Sequence, residues 1–163
     1  MEQLLDNWPV ELGVLVATAY AMVLGGVIGF EREMKDRPAG FRTHMLVAGA
    51  AALLVGLADL LAVRYSGEHY RELVRVDPLR LIEAVVAAVG FLGAGAIFRS
   101  GDDRVTGITT AASLLMVAAI GIAVGVHAHL LAFGTTVLTL VVLLILAWAE
   151  RRAGTRGQAS NAD

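Results

Sequence analysis

The chain has 163 residues, of which 57% are hydrophobic and 17% are charged, and its formal net charge at pH 7 is −2. Soluble domains usually carry about 25% charged residues, so this composition excludes an ordinary soluble domain, and it also excludes disorder of the whole chain. The absence of cysteine excludes disulfides and thiolate metal sites. The slightly negative charge argues against nucleic acid as a partner.

Five separate apolar runs predict an all-α, polytopic membrane protein with five transmembrane helices. Each run has 18 or 19 residues, close to the roughly 20 that a helix needs to cross the hydrocarbon core. None alternates in polarity as a membrane strand would. The runs are Leu12–Phe30, Met45–Val63, Leu81–Phe98, Ile108–Val126 and Leu130–Trp148.

The charges in the loops predict the orientation. With the N-terminus outside, the inner loops and the tail hold nine Lys and Arg residues, against four outside, so the positive-inside rule favours N-out, C-in. Residues 1–9 are then an extracytoplasmic N-terminus, residues 10–150 the transmembrane domain and residues 151–163 a disordered cytoplasmic tail. The leader has no Lys or Arg, so the first run does not resemble a cleaved signal peptide, and no soluble domain is expected after the tail.

In this orientation, four polar or Gly-rich stretches meet at the cytoplasmic face of the membrane. They are the end of the first helix, the start of the second, the end of the third and the start of the fourth. We therefore predict that functional residues concentrate at this face. The candidates are Glu31, Arg32, Glu33, Gly40, Arg42, Thr43, Gly90, Gly93, Gly95, Gly107, Thr109 and Thr110.

Most of these residues have a structural interpretation beside the functional one. The glycines of Gly90–Gly95 either open the third helix locally, so that its backbone lines a polar cavity, or allow close helix packing, which we favour. Gly25–Gly29 and Gly121–Gly125 also fit helix packing. Thr106 is expected to cap the fourth helix. Thr109 and Thr110 can bond a neighbouring helix or bind an ion.

Two acidic residues lie inside the spans, toward the predicted outer side. Asp59 and Glu83 are at similar depths on consecutive helices, with Arg64 and Arg80 within about a turn. They form a candidate outer acidic site that either binds a cation or proton, or pairs with the two arginines. We favour the arginine pairs, because no third acid is available for a hard cation. His127-Ala-His129 in the last loop is a weak metal site, and the sequence assigns no metal ion.

Several segments together resemble the MgtC/SapB family of membrane proteins. Glu31–Glu33 with Ala39–His44 is similar to its "ERE…AGLRTH" pattern, and Gly90–Ile97 to "GFLGAGxI". Val105–Ser113 resembles "VxGLTTAAS", and Ala118–Gly125 resembles "AAIGxxxG". In this order and spacing the resemblance covers about residues 10–148.

The resemblance implies a multi-pass protein of the bacterial inner membrane, linked to magnesium homeostasis and, in some members, to virulence. It also implies restraint of the F-type ATP synthase rather than magnesium transport, although ion transport is a common label for the family. The expected partners are the lipid bilayer, a second copy in a homodimer and an ATP synthase subunit. The soluble C-terminal domain of the virulence-factor members is not expected here, and the sequence has Leu115 where Trp is frequent and Glu83 where Gln is frequent.

Two functional hypotheses follow. The first is a non-catalytic regulator that acts through helix contacts, and the second is a transporter or channel for Mg²⁺, protons or a small solute. An intramembrane enzyme is not expected, because the sequence indicates no Ser/His pair in facing positions and no H-E-x-x-H zinc motif. No cofactor is expected.

Overall fold

The computed structural model, which describes residues 8–65, 77–99 and 105–159, contains five α-helices and a short β-hairpin in this part of the chain. The helices are α1 (Trp8–Glu33), α2 (Phe41–Arg64), α3 (Pro78–Ala96), α4 (Ile108–Gly125) and α5 (His129–Ala159). Strands β1 (Phe98–Arg99) and β2 (Val105–Thr106) pair antiparallel between α3 and α4. The prediction of an all-α chain with five helices is therefore confirmed.

Helices α1 to α4 are long and apolar enough to cross a membrane, judged by length and composition. In α5 the apolar stretch among the residues with described side chains is shorter, from His129 to Ile145. The chain is thus a multi-pass membrane protein. That α5 also crosses the membrane, and that the orientation is N-out, C-in, remain predictions.

The helices run past the apolar runs that predicted them. Helix α1 begins four residues before Leu12 and ends at Glu33, and α5 continues to Ala159. The sequence predicted a disordered tail from residue 151, whereas α5 continues through residues 151–159, where Arg and Ala favour a helix and Gly154 and Gly157 disfavour it. Parts of the predicted N-terminus, second loop, third loop and tail (1–7, 66–76, 100–104 and 160–163) lie outside the described residues.

Close approach of α1 and α4 to α2 forms the centre of the bundle. A Cβ added at Gly25 would stand 2.6 Å from the carbonyl oxygen of His44, and one at Gly125 would stand 2.6 Å from Cβ of Val55. Neither helix could sit so near α2 with a larger residue at these positions. The packing role predicted for Gly25–Gly29 and Gly121–Gly125 is confirmed.

Helix α3 lies at the edge of the bundle and packs mainly on α4. It is a continuous helix through Gly90–Gly95, so the alternative of a locally opened helix is wrong. A Cβ at Gly93 would stand 3.2 Å from Cβ of Ala111, whereas Gly90 and Gly95 have no atom within 4 Å of that position. One glycine of the motif thus supports packing within the chain, and two lie on its open side.

The turn into α4 depends on Gly107. Its φ of 89° lies in the left-handed region, and a Cβ there would collide with the carbonyl oxygen of Ala96. Glycine takes this conformation at little cost. The cap of α4 is therefore Gly107, without a side-chain hydrogen bond, and the predicted cap, Thr106, lies in β2 instead.

Candidate functional site

Among the described residues, most of the buried polar side chains lie at one end of the bundle, where α1 ends and α2 and α4 begin. We call these five residues the buried polar cluster: Glu31, Arg32, His44, Thr110 and Ser113. Three of the five, Glu31, Arg32 and Thr110, are among the candidates that the sequence predicts at the cytoplasmic face. Buried polar groups need partners, because an unpaired one costs about 1–3 kcal/mol, and the cluster provides most of them.

His44 lies at the centre of the cluster, with no exposed surface. Its ring Nδ1 is 2.9 Å from the carbonyl oxygen of Gly40, the cap residue that precedes α2. Its Nε2 is 3.0 Å from Oγ of Ser113 on α4. The Ser113 hydroxyl in turn donates to the carbonyl oxygen of Thr110 at 2.8 Å. This row of contacts joins the starts of α2 and α4.

Arg32 connects α1 to the same place on α4. Its Nη2 donates to Oγ1 of Thr110 at 3.2 Å, and both residues are almost completely buried. A guanidinium is always charged and offers five donors, so it can serve several acceptors at once. The cluster therefore joins the end of α1 and the start of α2 to α4, which is far from both in sequence.

Glu31 extends the cluster toward α5. The ammonium group of Lys35 forms an ion pair with the Glu31 carboxylate, and Lys35 also donates to the carbonyl oxygen of Leu143 at 3.4 Å. Neither carboxylate oxygen accepts a hydrogen bond from the described residues. The charge of Lys35 is therefore the main compensation for this buried carboxylate.

The turn between α1 and α2 uses Glu33. Its Oε2 accepts from the backbone N–H of Phe41 at 2.8 Å, and this N–H opens α2. The cap residue, Gly40, has no side chain to satisfy that donor, so the last residue of α1 takes the role of a capping side chain.

The remaining candidates at this face do not enter the cluster. Arg42, Thr43 and Thr109 are exposed. Thr109 lines an apolar cavity of about 300 Å³ between α4 and α5, which Ser113 also lines. Of the bonds to a neighbouring helix that the sequence allowed for both threonines, the described part of the chain shows the one of Thr110.

Sequence reasoning missed the pairing of His44 with Ser113. The two residues are 69 positions apart, and the sequence indicated no facing Ser/His pair, so this expectation is wrong. A signal was present, because Gly29 leaves room for Cβ of His44 and Ser113 falls one turn after Thr109. These patterns do not, however, fix how two helices are rotated against each other.

The candidate outer acidic site is divided in the structure. Both acids are exposed, but Asp59 lies at the edge of a cavity of about 240 Å³ that His127 also lines, whereas Glu83 lies on α3. Among the described residues no ion pair joins Asp59 to Arg64, and Arg80 approaches Asp77 at 3.8 Å rather than Glu83. Within the same part of the chain, no three His, Asp or Glu side chains are grouped to hold a metal ion.

Comparisons with known proteins agree with the motifs. The MgtC family model matches residues 18–152. Protein SapB of Bacillus subtilis (strain 168) is 32% identical over 151 residues, which are 93% of this chain and 64% of SapB. YhiD of Escherichia coli (strain K12) is 36% identical over 79% of this chain and 58% of its own length. Protein MgtC of Brucella abortus (strain 2308) is 43% identical over 66% of this chain and 40% of its own length.

These relatives are longer than the chain. The chain spans 58% to 64% of the length of the first curated relatives that it matches. No solved structure matches it. The similarity therefore concerns the helical membrane part that contains the buried polar cluster.

Proposed function

Because the chain belongs to the MgtC family, we propose that it is a non-catalytic regulator in the bacterial inner membrane that acts when magnesium is limiting. It acts by binding another membrane protein through its helices, and a subunit of the F-type ATP synthase is the partner that the family resemblance suggests. The relative YhiD, which its name describes as a proposed magnesium transporter, supports the link to magnesium.

The open side of α3 is the observation that carries this proposal. Only 17% of the residues in its apolar stretch are buried, against 39% to 50% in α1, α2 and α4. Gly90 has no atom of the described residues within 4 Å of the position a Cβ would take, Ala94 one turn later is exposed on the same face, and Phe91 is 81% exposed. Small residues at a lipid-facing surface let a second helix approach closely, so this side of α3 suits a helix–helix contact.

A purification from native membranes tests the regulator. Tagged protein is isolated from cells grown at low magnesium, and its bound proteins are identified with and without Gly90→Leu. We expect Gly90→Leu to remove a specific membrane partner. Gly134→Leu is the matched control, because Gly134 on α5 is also a glycine with no atom within 4 Å of a Cβ position. An unchanged set of bound proteins in Gly90→Leu argues against a partner on α3.

The Ser113–His44 pair does not change the proposal of a non-enzyme. A nucleophilic serine needs its proton directed at a base, whereas the Ser113 hydroxyl donates to the carbonyl oxygen of Thr110. Both side chains are also buried. A helix-joining role accounts for these contacts.

Transport of Mg²⁺, protons or a small solute is the second candidate. The cavity that Asp59 shares with His127 favours it, because Mg²⁺ keeps most of its waters and often needs only one or two carboxylates. Proteoliposomes test it directly. A flux of Mg²⁺ or H⁺ that Asp59→Asn abolishes, and that the control Glu83→Gln on α3 leaves unchanged, would favour a transporter over a regulator.

A further inference from the structure

Three polar contacts follow one another through the buried polar cluster, and a carbonyl oxygen stands at each end of the row. Gly40 O is 2.9 Å from Nδ1 of His44, Nε2 is 3.0 Å from Oγ of Ser113, and this Oγ is 2.8 Å from Thr110 O. All three distances are typical of hydrogen bonds. Each contact therefore needs one hydrogen between its two heavy atoms.

The hydrogens can be counted from the chemistry of the groups. The two carbonyl oxygens only accept, a hydroxyl donates one hydrogen, and a neutral imidazole donates one from either nitrogen. A neutral His44 with Ser113 thus supplies two hydrogens for three contacts. An imidazolium donates from both nitrogens, and with the Ser113 hydroxyl it supplies all three.

From this count we infer that His44 is a buried proton-binding site, and that its ring carries the added proton while all three contacts of the row are made. The ligand is the proton itself, bound between Gly40 of α2 and Ser113 of α4. The site does not depend on the proposed regulatory function.

The charges around His44 oppose one another. Complete burial disfavours a charged ring, and so does the guanidinium of Arg32 on α1. The Glu31 carboxylate on the same helix favours it, although Lys35 neutralises part of that charge. Helix α4 carries no titratable side chain, and on α2 the nearest charged residue, Arg42, is exposed. Burial is the largest of these effects, so the ring holds the added proton only where the three hydrogen bonds and the Glu31 carboxylate together outweigh burial and Arg32.

Loss of the proton opens one contact of the row. Two acceptors would otherwise face each other within about 3 Å without a hydrogen, which is repulsive. Ser113 takes part in two of the three contacts, so it is the residue that moves when either one opens. It also lines the cavity between α4 and α5. The state of His44 is thereby connected to the shape of that cavity.

The test measures the ring nitrogens directly. Protein with ¹⁵N-labelled histidine is placed in lipid nanodiscs, and the His44 signals, assigned with His44→Gln, are followed between about pH 5 and 8. We expect a ring with hydrogen on both nitrogens at the acidic end, which converts to a neutral ring as the pH rises. A neutral His44 at every pH overturns the inference.

Ser113→Ala separates proton binding from simple packing. Without Oγ only the contact to Gly40 O remains, and a neutral ring with its hydrogen on Nδ1 satisfies it. We expect this tautomer to dominate, with the doubly protonated ring populated roughly tenfold less at a given pH, as one lost hydrogen bond to a charged group implies. His127→Gln, outside the cluster, should leave the His44 signals unchanged. If Ser113→Ala also leaves them unchanged, the proton is not held by this row of contacts.

Discussion

Two glycines on the same helix should respond in opposite ways to replacement by alanine. On α1, a Cβ at Gly25 would stand 2.6 Å from the carbonyl oxygen of His44 and 2.7 Å from Cβ of Ala48. A Cβ at Gly13 would have no atom within 4 Å. The obstacle at Gly25 is partly backbone, so it cannot be relieved by rotating a side chain. Gly25→Ala must therefore move α2 away from α1.

The magnitude follows from two terms. Alanine is favoured over glycine inside a helix by about 1 kcal/mol, and this gain applies to both Gly13→Ala and Gly25→Ala. Overpacking at Gly25 costs about 1–3 kcal/mol. Because the helix term is common, the free energies of unfolding of the two variants should differ by about 1–3 kcal/mol, with Gly13→Ala at or above the wild type.

Reversible unfolding in mixed micelles with increasing denaturing detergent measures this difference. Both variants have the same composition and are expected to bind detergent alike, so the midpoints can be compared directly. Equal stability of Gly13→Ala and Gly25→Ala would refute the close α1–α2 contact. A Gly25→Ala variant that is more stable than the wild type would also refute this contact.

The remaining predictions concern the polar end of the bundle. Lys35→Met should lower the free energy of unfolding by about 3 kcal/mol, because it leaves the buried Glu31 carboxylate uncompensated, and adding Glu31→Gln should restore most of the loss in the same unfolding assay. Ser113→Ala should cost about 1–3 kcal/mol, since it leaves Nε2 of His44 without a partner. Thr43→Cys, the single cysteine in a chain that otherwise has none, should react only with reagents that enter the cytoplasm; labelling from outside would contradict the N-out, C-in orientation.

The helices and their glycine contacts could be predicted because both depend on local sequence. A run of about 20 apolar residues selects a helix in a membrane, and paired small residues one turn apart allow a neighbouring helix to come close. Neither argument depends on which helix is the neighbour. The contact of Gly125 with Val55 confirms the packing role without having been specified in advance.

The partners across the bundle could not be predicted, because they depend on which helices are neighbours. Consecutive helices are usually adjacent, and on this basis Asp59 was grouped with Glu83 of the next span. Instead α4 packs beside α2 and α3 lies outside it, so Asp59 shares its cavity with His127. The same arrangement brings Ser113 to His44.

Helix α4 touches both polar regions of the molecule, and this leads to a last prediction. Ser113 near its start joins the buried polar cluster, and Gly125 at its end lines the cavity of Asp59. An 18-residue helix is a rod of about 27 Å, so a shift at one end is carried to the other.

Labelling at the far end measures this coupling. Gly13 lines the Asp59 cavity and has space for a side chain, so the rate at which Gly13→Cys reacts with a thiol reagent reports the shape of that cavity. If α4 moves as one body, adding Ser113→Ala should change this rate. Adding Thr139→Ala on α5, whose hydroxyl donates to the carbonyl oxygen of Thr135 in the same helix, should not. Equal rates in all three proteins would mean that the two polar regions are independent, and that loss of the His44 contact is absorbed within the first turns of α4.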